Sequence, residues 1–206
     1  MRIRRRRRGI PLLLLACLAF TGCAWLKSKS PWITPSKPPA PVSPPPVSMA
    51  DKTFAEGMAA LQEGGHELAL ERFTAAWKEQ PGHAGVAREF EGALQALKKN
   101  GDAAYAQGKW EDAGRRWMGT LRHIGHPAVR AKEIPFTRAE IQALLDRLSA
   151  NLMAKGLLEY RKGNIEAAIP QWKTILSYDP SNEEASRSVR TAAKQLENLK
   201  KIPATR

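Results

Sequence analysis

Cysteine is nearly missing from this chain: only Cys17 and Cys23 occur, both near the start. Whatever follows them holds no disulfide framework and no thiolate metal site, so its fold must stand on packing alone. Acid is missing from the first 50 residues, the first carboxylate being Asp51. Long apolar runs are scarce too. The leucine-rich run Ile10 to Phe20 covers 11 residues, too short for a permanent membrane span. Motifs that carry chemistry are also missing: no His-Glu-x-x-His pair, phosphate loop, dinucleotide fingerprint or Gly-x-Ser-x-Gly elbow occurs. Gly108-Lys109 is a turn before Trp110, without the rest of a phosphate loop. His66, His83, His123 and His126 are the only histidines. His123 and His126 are three apart, but Gly125 and Pro127 should end a helix there, and no nearby acid has ligand spacing. They read as surface histidines. Glu183 and Glu184 fall at a helix start, where they complement the macrodipole. The expectation is a protein that is not an enzyme and holds no metal.

What the chain does have begins with a leader. Six arginines lie within residues 1–8, and the short apolar run follows; together they make residues 1–22 an export signal. Phe20-Thr21-Gly22-Cys23 then resembles a bacterial lipobox. The resemblance implies that Cys23 becomes the first residue of the mature protein and carries covalent lipid (palmitate and related acyl chains), the one non-protein group expected. Leu14-Leu15-Ala16-Cys17 fits the same pattern, but cleavage there would cut the apolar core short. An ordinary cleaved signal, an uncleaved anchor and twin-arginine export remain as alternatives. The six arginines would leave with the leader, so the formal charge falls from +13 to +7. That balance argues only weakly for anionic lipid or glycan, and nucleic acid is not expected as a partner. Ala24, not Asp, follows the cysteine. In proteobacterial lipoproteins resembling this one, that choice goes with the outer membrane, and in a host of that kind the expected side is its periplasmic face.

Residues 23–48 read as anchor plus linker. Eight of the 15 prolines lie between Pro31 and Pro46. Such a tract is extended and semi-rigid, and at about 3.1 Å per residue a twenty-residue stretch reaches roughly 60 Å. Trp25 and Trp32 beside the anchor suit either the lipid interface or solvent.

Residues 49–201 read as one helical domain, with a tail at 202–206. A constellation occurs three times in it: Gly57, Gly64, Ala69, Phe73, Trp77; then Gly101, Gly108, Ala113, Trp117, Leu121; then Gly156, Gly163, Ala168, Trp172, Leu176. The offsets are the same in each copy, and agreement of that kind marks an internal repeat. Each copy predicts two short antiparallel helices. The first glycine lets the partner helix approach, the second turns the chain, and Ala, aromatic and large apolar residue at intervals of four mark one face of the second helix. Trp77, Trp117 and Trp172 are expected in the packing; Trp110, just after a turn, is the candidate exposed aromatic. Helices are expected at 51–62, 66–79, from His83 to about Lys99, at 110–123, from the Thr137–Glu140 capping box to Arg161, and to about Leu199 from a second box, Ser181 with Glu184. Asn100-Gly101 could break the first helix of the middle copy. Corresponding glycines lie 44 and 55 residues apart, so the first helices of copies two and three must be lengthened or preceded by an extra helix.

These residues resemble the tetratricopeptide repeat family, whose unit is roughly 34 residues. Gly57, Ala69, Phe73, Ala76 and Pro81 fit one unit over residues 50–83. Gly156, Ala168, Trp172 and Pro180 fit another over 149–182, with Ile175 replacing a small residue. The middle unit, 94–127, keeps Gly101, Ala113 and Trp117 but has Thr120 and Gly125 where Ala and Pro are usual. The resemblance implies an all-α, short and irregular right-handed helical-repeat stack closed by a C-terminal capping helix. It also implies a partner groove lined by the first helices. The positions that would face it include Phe54 and Met58, then Lys98, Asp102 and Tyr105, then Met153, Tyr160 and Arg161. The function expected is a tethered scaffold that captures a protein partner in the cell envelope, of the secretion, pilus or polysaccharide-export type. Two other readings stand beside it: a wall-associated activator of a peptidoglycan or glycan enzyme, and a self-assembling structural lipoprotein.

Overall fold

A computed structural model describes residues 47–130 and 133–201. The leader, Cys23, the linker up to Pro46 and the 202–206 tail lie outside the described residues. The chain divides into two units, Met1–Pro44 and Pro45–Arg206, and the described residues belong to the second. They form seven α-helices and no strand: α1 (Met49–Gln62), α2 (His66–Glu79), α3 (Ala84–Ala106), α4 (Trp110–His123), α5 (Arg138–Arg161), α6 (Ile165–Tyr178) and α7 (Glu183–Lys201).

Consecutive helices pair as α1/α2, α3/α4 and α5/α6, and α7 packs on α6. Each pair is locked by its repeated residues. A Cβ built on Gly57 would stand 2.5 Å from the Phe73 ring, one on Gly101 2.6 Å from Trp117, and one on Gly156 2.3 Å from Trp172. Real Cβ atoms do not come that close, so each aromatic fills the space that only glycine leaves. Between the helices, Gly64, Gly108 and Gly163 have φ of 78°, 73° and 82°, the left-handed region that glycine enters without steric cost. Ala69, Ala113 and Ala168 are fully buried.

The lengthened α3 accounts for the first wide spacing, whereas the second is shared between the lengthened α5 and the long connection over residues 124–137; no extra helix intervenes among the described residues. The added turns of α3 bury Val86, Phe90, Ala93 and Leu94, and α3 packs along α2. Those of α5 bury Ile141, Leu145 and Leu148, and α5 packs along α4. Burying a large apolar side chain of this kind is favourable by roughly 1.5–3 kcal/mol, well above an exposed ion pair at ~0–1 kcal/mol. The three hairpins therefore share one core. A further close approach joins them, since a Cβ on Gly114 of α4 would fall 2.2 Å from the Tyr178 ring of α6.

Two local expectations fail. Asn100-Gly101 does not break α3, which runs through it unbroken. A mid-helix glycine costs about 1 kcal/mol, and the Trp117 ring packed on Gly101 offsets it. The Ser181–Glu184 box does not form. Asn182 caps α7 instead, its Oδ1 accepting the Ala185 N–H at 3.0 Å, while the Ser181 hydroxyl donates to Asp179 at 2.7 Å. Thr137 and Glu140 do form the expected box at α5, and Ser48 with Asp51 forms one at α1. None of the described helices is long and apolar enough to cross a membrane.

Candidate partner cleft

The first helices do not present one continuous groove. Between α1 and α3 the space is filled: the Phe54 ring stacks on Phe73 at 5.4 Å and lies tilted against His83 at 5.0 Å, and Met58 is half-buried against the core. Between α3 and α5 the connecting loop intervenes. Lys98 of α3 reaches over the ring of Phe136, which is buried, at 5.9 Å, and Gln95 donates to the Glu133 carbonyl at 3.4 Å. Glu91 holds the other end of that loop, its carboxylate accepting the Arg130 N–H at 2.5 Å. Burial works to raise the Glu91 pKa, but that hydrogen bond and the neighbouring guanidinium leave it below the ordinary carboxylate value.

Lys98 and Asp102 are engaged with their own surroundings. The Lys98 ammonium sits 2.6 Å from Asp102, whose other oxygen accepts the Trp117 indole N–H at 3.1 Å. Tyr105 lies between Trp110, at 5.1 Å, and Trp117, at 5.3 Å. Trp110 is thus half-buried, not the exposed aromatic expected. Its ring packs against Tyr105 on one side and lies under the Lys155 ammonium, 4.9 Å away. The turn before it sends the ring back onto α3.

Between α5 and α7 the helices part. Both pack on α6 but hardly on each other. Tyr160 bridges them, donating to Gln195 of α7, with its ring 5.9 Å from Trp172. Arg161 is exposed beyond it. Toward the N-terminal half of α5 the gap opens into a cavity of about 480 Å³. Met118, Leu145 and Met153 supply its apolar lining, and Asp146, Asp179 and Glu184 its carboxylates. Tyr178 and Ser149 share a hydrogen bond of 2.9 Å at its wall. Burial raises the Tyr178 pKa, which keeps the phenol protonated. Of the groove residues expected from the sequence, Met153 lines this cavity and Tyr160 stands at the bridge above it; the other six lie elsewhere.

The histidines are not surface residues as a group. His83 and His123 are buried, and His126 stacks on Phe90 at 4.2 Å. Nδ1 of His83 accepts the Val86 N–H at the start of α3, and its Nε2 lies 3.2 Å from Asp51. Nδ1 of His126 accepts the Ala128 N–H at 3.2 Å. Burial holds the pKa of His123 and His126 below the ordinary value, so both are neutral near pH 7. Among the described residues no three potential ligands gather to hold a metal ion.

Sequence reasoning missed the cleft carboxylates, Tyr178 and Gly114. The usable signal was Gly114 itself, a glycine inside an amphipathic helix, which points to close approach by another element. No protein-family model and no curated protein matches the chain.

Proposed function

We propose that the chain is a lipid-anchored, non-catalytic scaffold of the bacterial cell envelope, built from tetratricopeptide-type hairpins, that captures a protein partner and helps assemble or localise a complex. The observation that carries the reading is the threefold recurrence of one lock: a buried first-helix glycine under an aromatic ring, a left-handed glycine turn, and a fully buried alanine. The resemblance drawn from the sequence implies hairpins of this make, stacked right-handed and capped by a terminal helix. Proteins of that kind work by display, offering a surface on which a partner's peptide or helix lies. The lipobox-like Phe20-Thr21-Gly22-Cys23 and the proline-rich stretch after it supply the tether in this reading. The α5–α7 cleft is the place where a partner segment would enter.

The reading is tested by crosslinking in the native envelope followed by affinity purification, comparing wild type with Cys23→Ser. The expected result is one defined complex that is lost with Cys23. Recovery of the protein alone, or only of cell-wall fragments, would overturn partner capture in favour of a structural or wall-associated role.

A further inference from the structure

We infer that the α5–α7 cleft receives a basic segment of the partner, a helix or strand presenting lysine or arginine; the inference rests on the partner-capture reading above. The cleft is a helix face left without a partner. Asp146, Ser149 and Met153 of α5 line it, and α7 reaches the cavity only through Glu184 in its first turn. Its lining is mixed in a way that suits a long cationic side chain. Leu145 and Met153 give an apolar bed for an aliphatic stem, and methionine adapts its shape to what it covers.

Charge decides the sign of the occupant. Asp146, Asp179 and Glu184 line the cavity, and no lysine, arginine or histidine does. In a chain with 33 basic and 20 acidic residues, a cavity wall with acids alone is not the expected arrangement. Elsewhere on the described surface many acids, among them Glu67, Asp102, Asp112 and Glu159, have a cationic partner within reach, although Glu63, Glu79, Glu140, Glu166 and Glu183 are in no ion pair among the described residues. The three cleft acids take part in none of the ion pairs among the described residues. Asp146 accepts only from Gln142, at 2.8 Å, and Asp179 from Ser181 and Asn182. A carboxylate has about four acceptor sites, so these neutral bonds leave room for a charged donor. A basic segment would relieve the mutual repulsion of the three groups, whereas an acidic one would add to it.

The test uses the full-length purified protein in detergent and two synthetic amphipathic peptides, one of leucine and lysine, the other with glutamate at every lysine. Titration calorimetry is run at low and at physiological salt. The lysine peptide should bind and weaken with salt, and the glutamate peptide should not bind. The double variant Asp146→Asn, Glu184→Gln should lower affinity for the lysine peptide about tenfold or more. Both residues are exposed, so helicity should stay near wild type, and melting should fall only slightly from the lost Glu184 charge in the first turn of α7. Equal binding of the two peptides, or a double variant that binds as tightly as wild type, would overturn the inference. Envelope purification with the same variant separates the two proposals. A partner still captured by the variant, together with unselective peptide binding, removes the cleft's basic preference and leaves capture standing. Selective peptide binding with no partner captured by wild type removes capture and leaves the cleft chemistry standing.

Discussion

At the scale of the residue, glycine has opposite meanings at different places on these helices. Gly156 faces the Trp172 ring, where an added Cβ would lie 2.3 Å from the indole nitrogen. Gly92, also inside a helix, has nothing within 4 Å of the same position. Gly156→Ala should therefore destabilise by about 1–3 kcal/mol through overpacking. Gly92→Ala should stabilise by about 0.5–1 kcal/mol through helix propensity. Urea unfolding of the two variants beside wild type checks both signs. His123 supplies a second residue-scale prediction. Its Nε2 is buried without a hydrogen-bond partner, and burial first, then the Arg122 charge, lowers its pKa; Glu71 opposes them and His126 adds to them. The unfolded chain takes up the proton near the ordinary histidine value of about 6.5, before the folded chain does. Stability is then complete above that pH and falls as pH drops through it, levelling once the folded state is protonated too. The melting temperature should fall between about pH 7.5 and 5.5, and His123→Leu should flatten that slope. An unchanged slope would place the loss on other groups, His126 foremost.

At the scale of the element, helix ends separate what local sequence decides from what it leaves open. The ends of α2 and α4 are legible because a glycine turn and the periodic apolar face act within a dozen residues. The start of α7 is not, since Ser181 and Asn182 are both good caps, one position apart. The bond from Ser181 to Asp179 decides it, leaving Asn182 to accept the helix N–H. Asn182→Ala should cost about 1 kcal/mol, and Ser181→Ala a small fraction of that; thermal unfolding of the two variants tests the assignment. The unbroken α3 teaches the same lesson from the other side. Asn100-Gly101 is a turn signal in isolation, but the Trp117 packing that overrides it comes from the next helix.

At the scale of the whole molecule, the repeat was readable and the cleft was not. Each lock is closed by residues within one hairpin, so its spacing shows in the sequence. The cleft draws on α4, α5, α6 and the start of α7 at once, and its carboxylates share no local pattern. The groove positions implied by the family resemblance assume first helices lying side by side. Here a loop containing the buried Phe136 separates α3 from α5, and Phe54 turns into the core, so the open surface is broken into separate cavities, one of about 370 Å³ beside Lys98 and Phe136 and the α5–α7 cleft at the C-terminal end. The most direct test of the account places a photo-crosslinking amino acid in the full-length protein in its native cells. One position is Ala150, exposed in the cleft lining; the other is Arg88, whose side chain on α3 is 72% exposed. The account predicts one defined adduct from Ala150, none from Arg88, and loss of the adduct with Cys23→Ser. The same adducts from both positions, or none from Ala150, would contradict it.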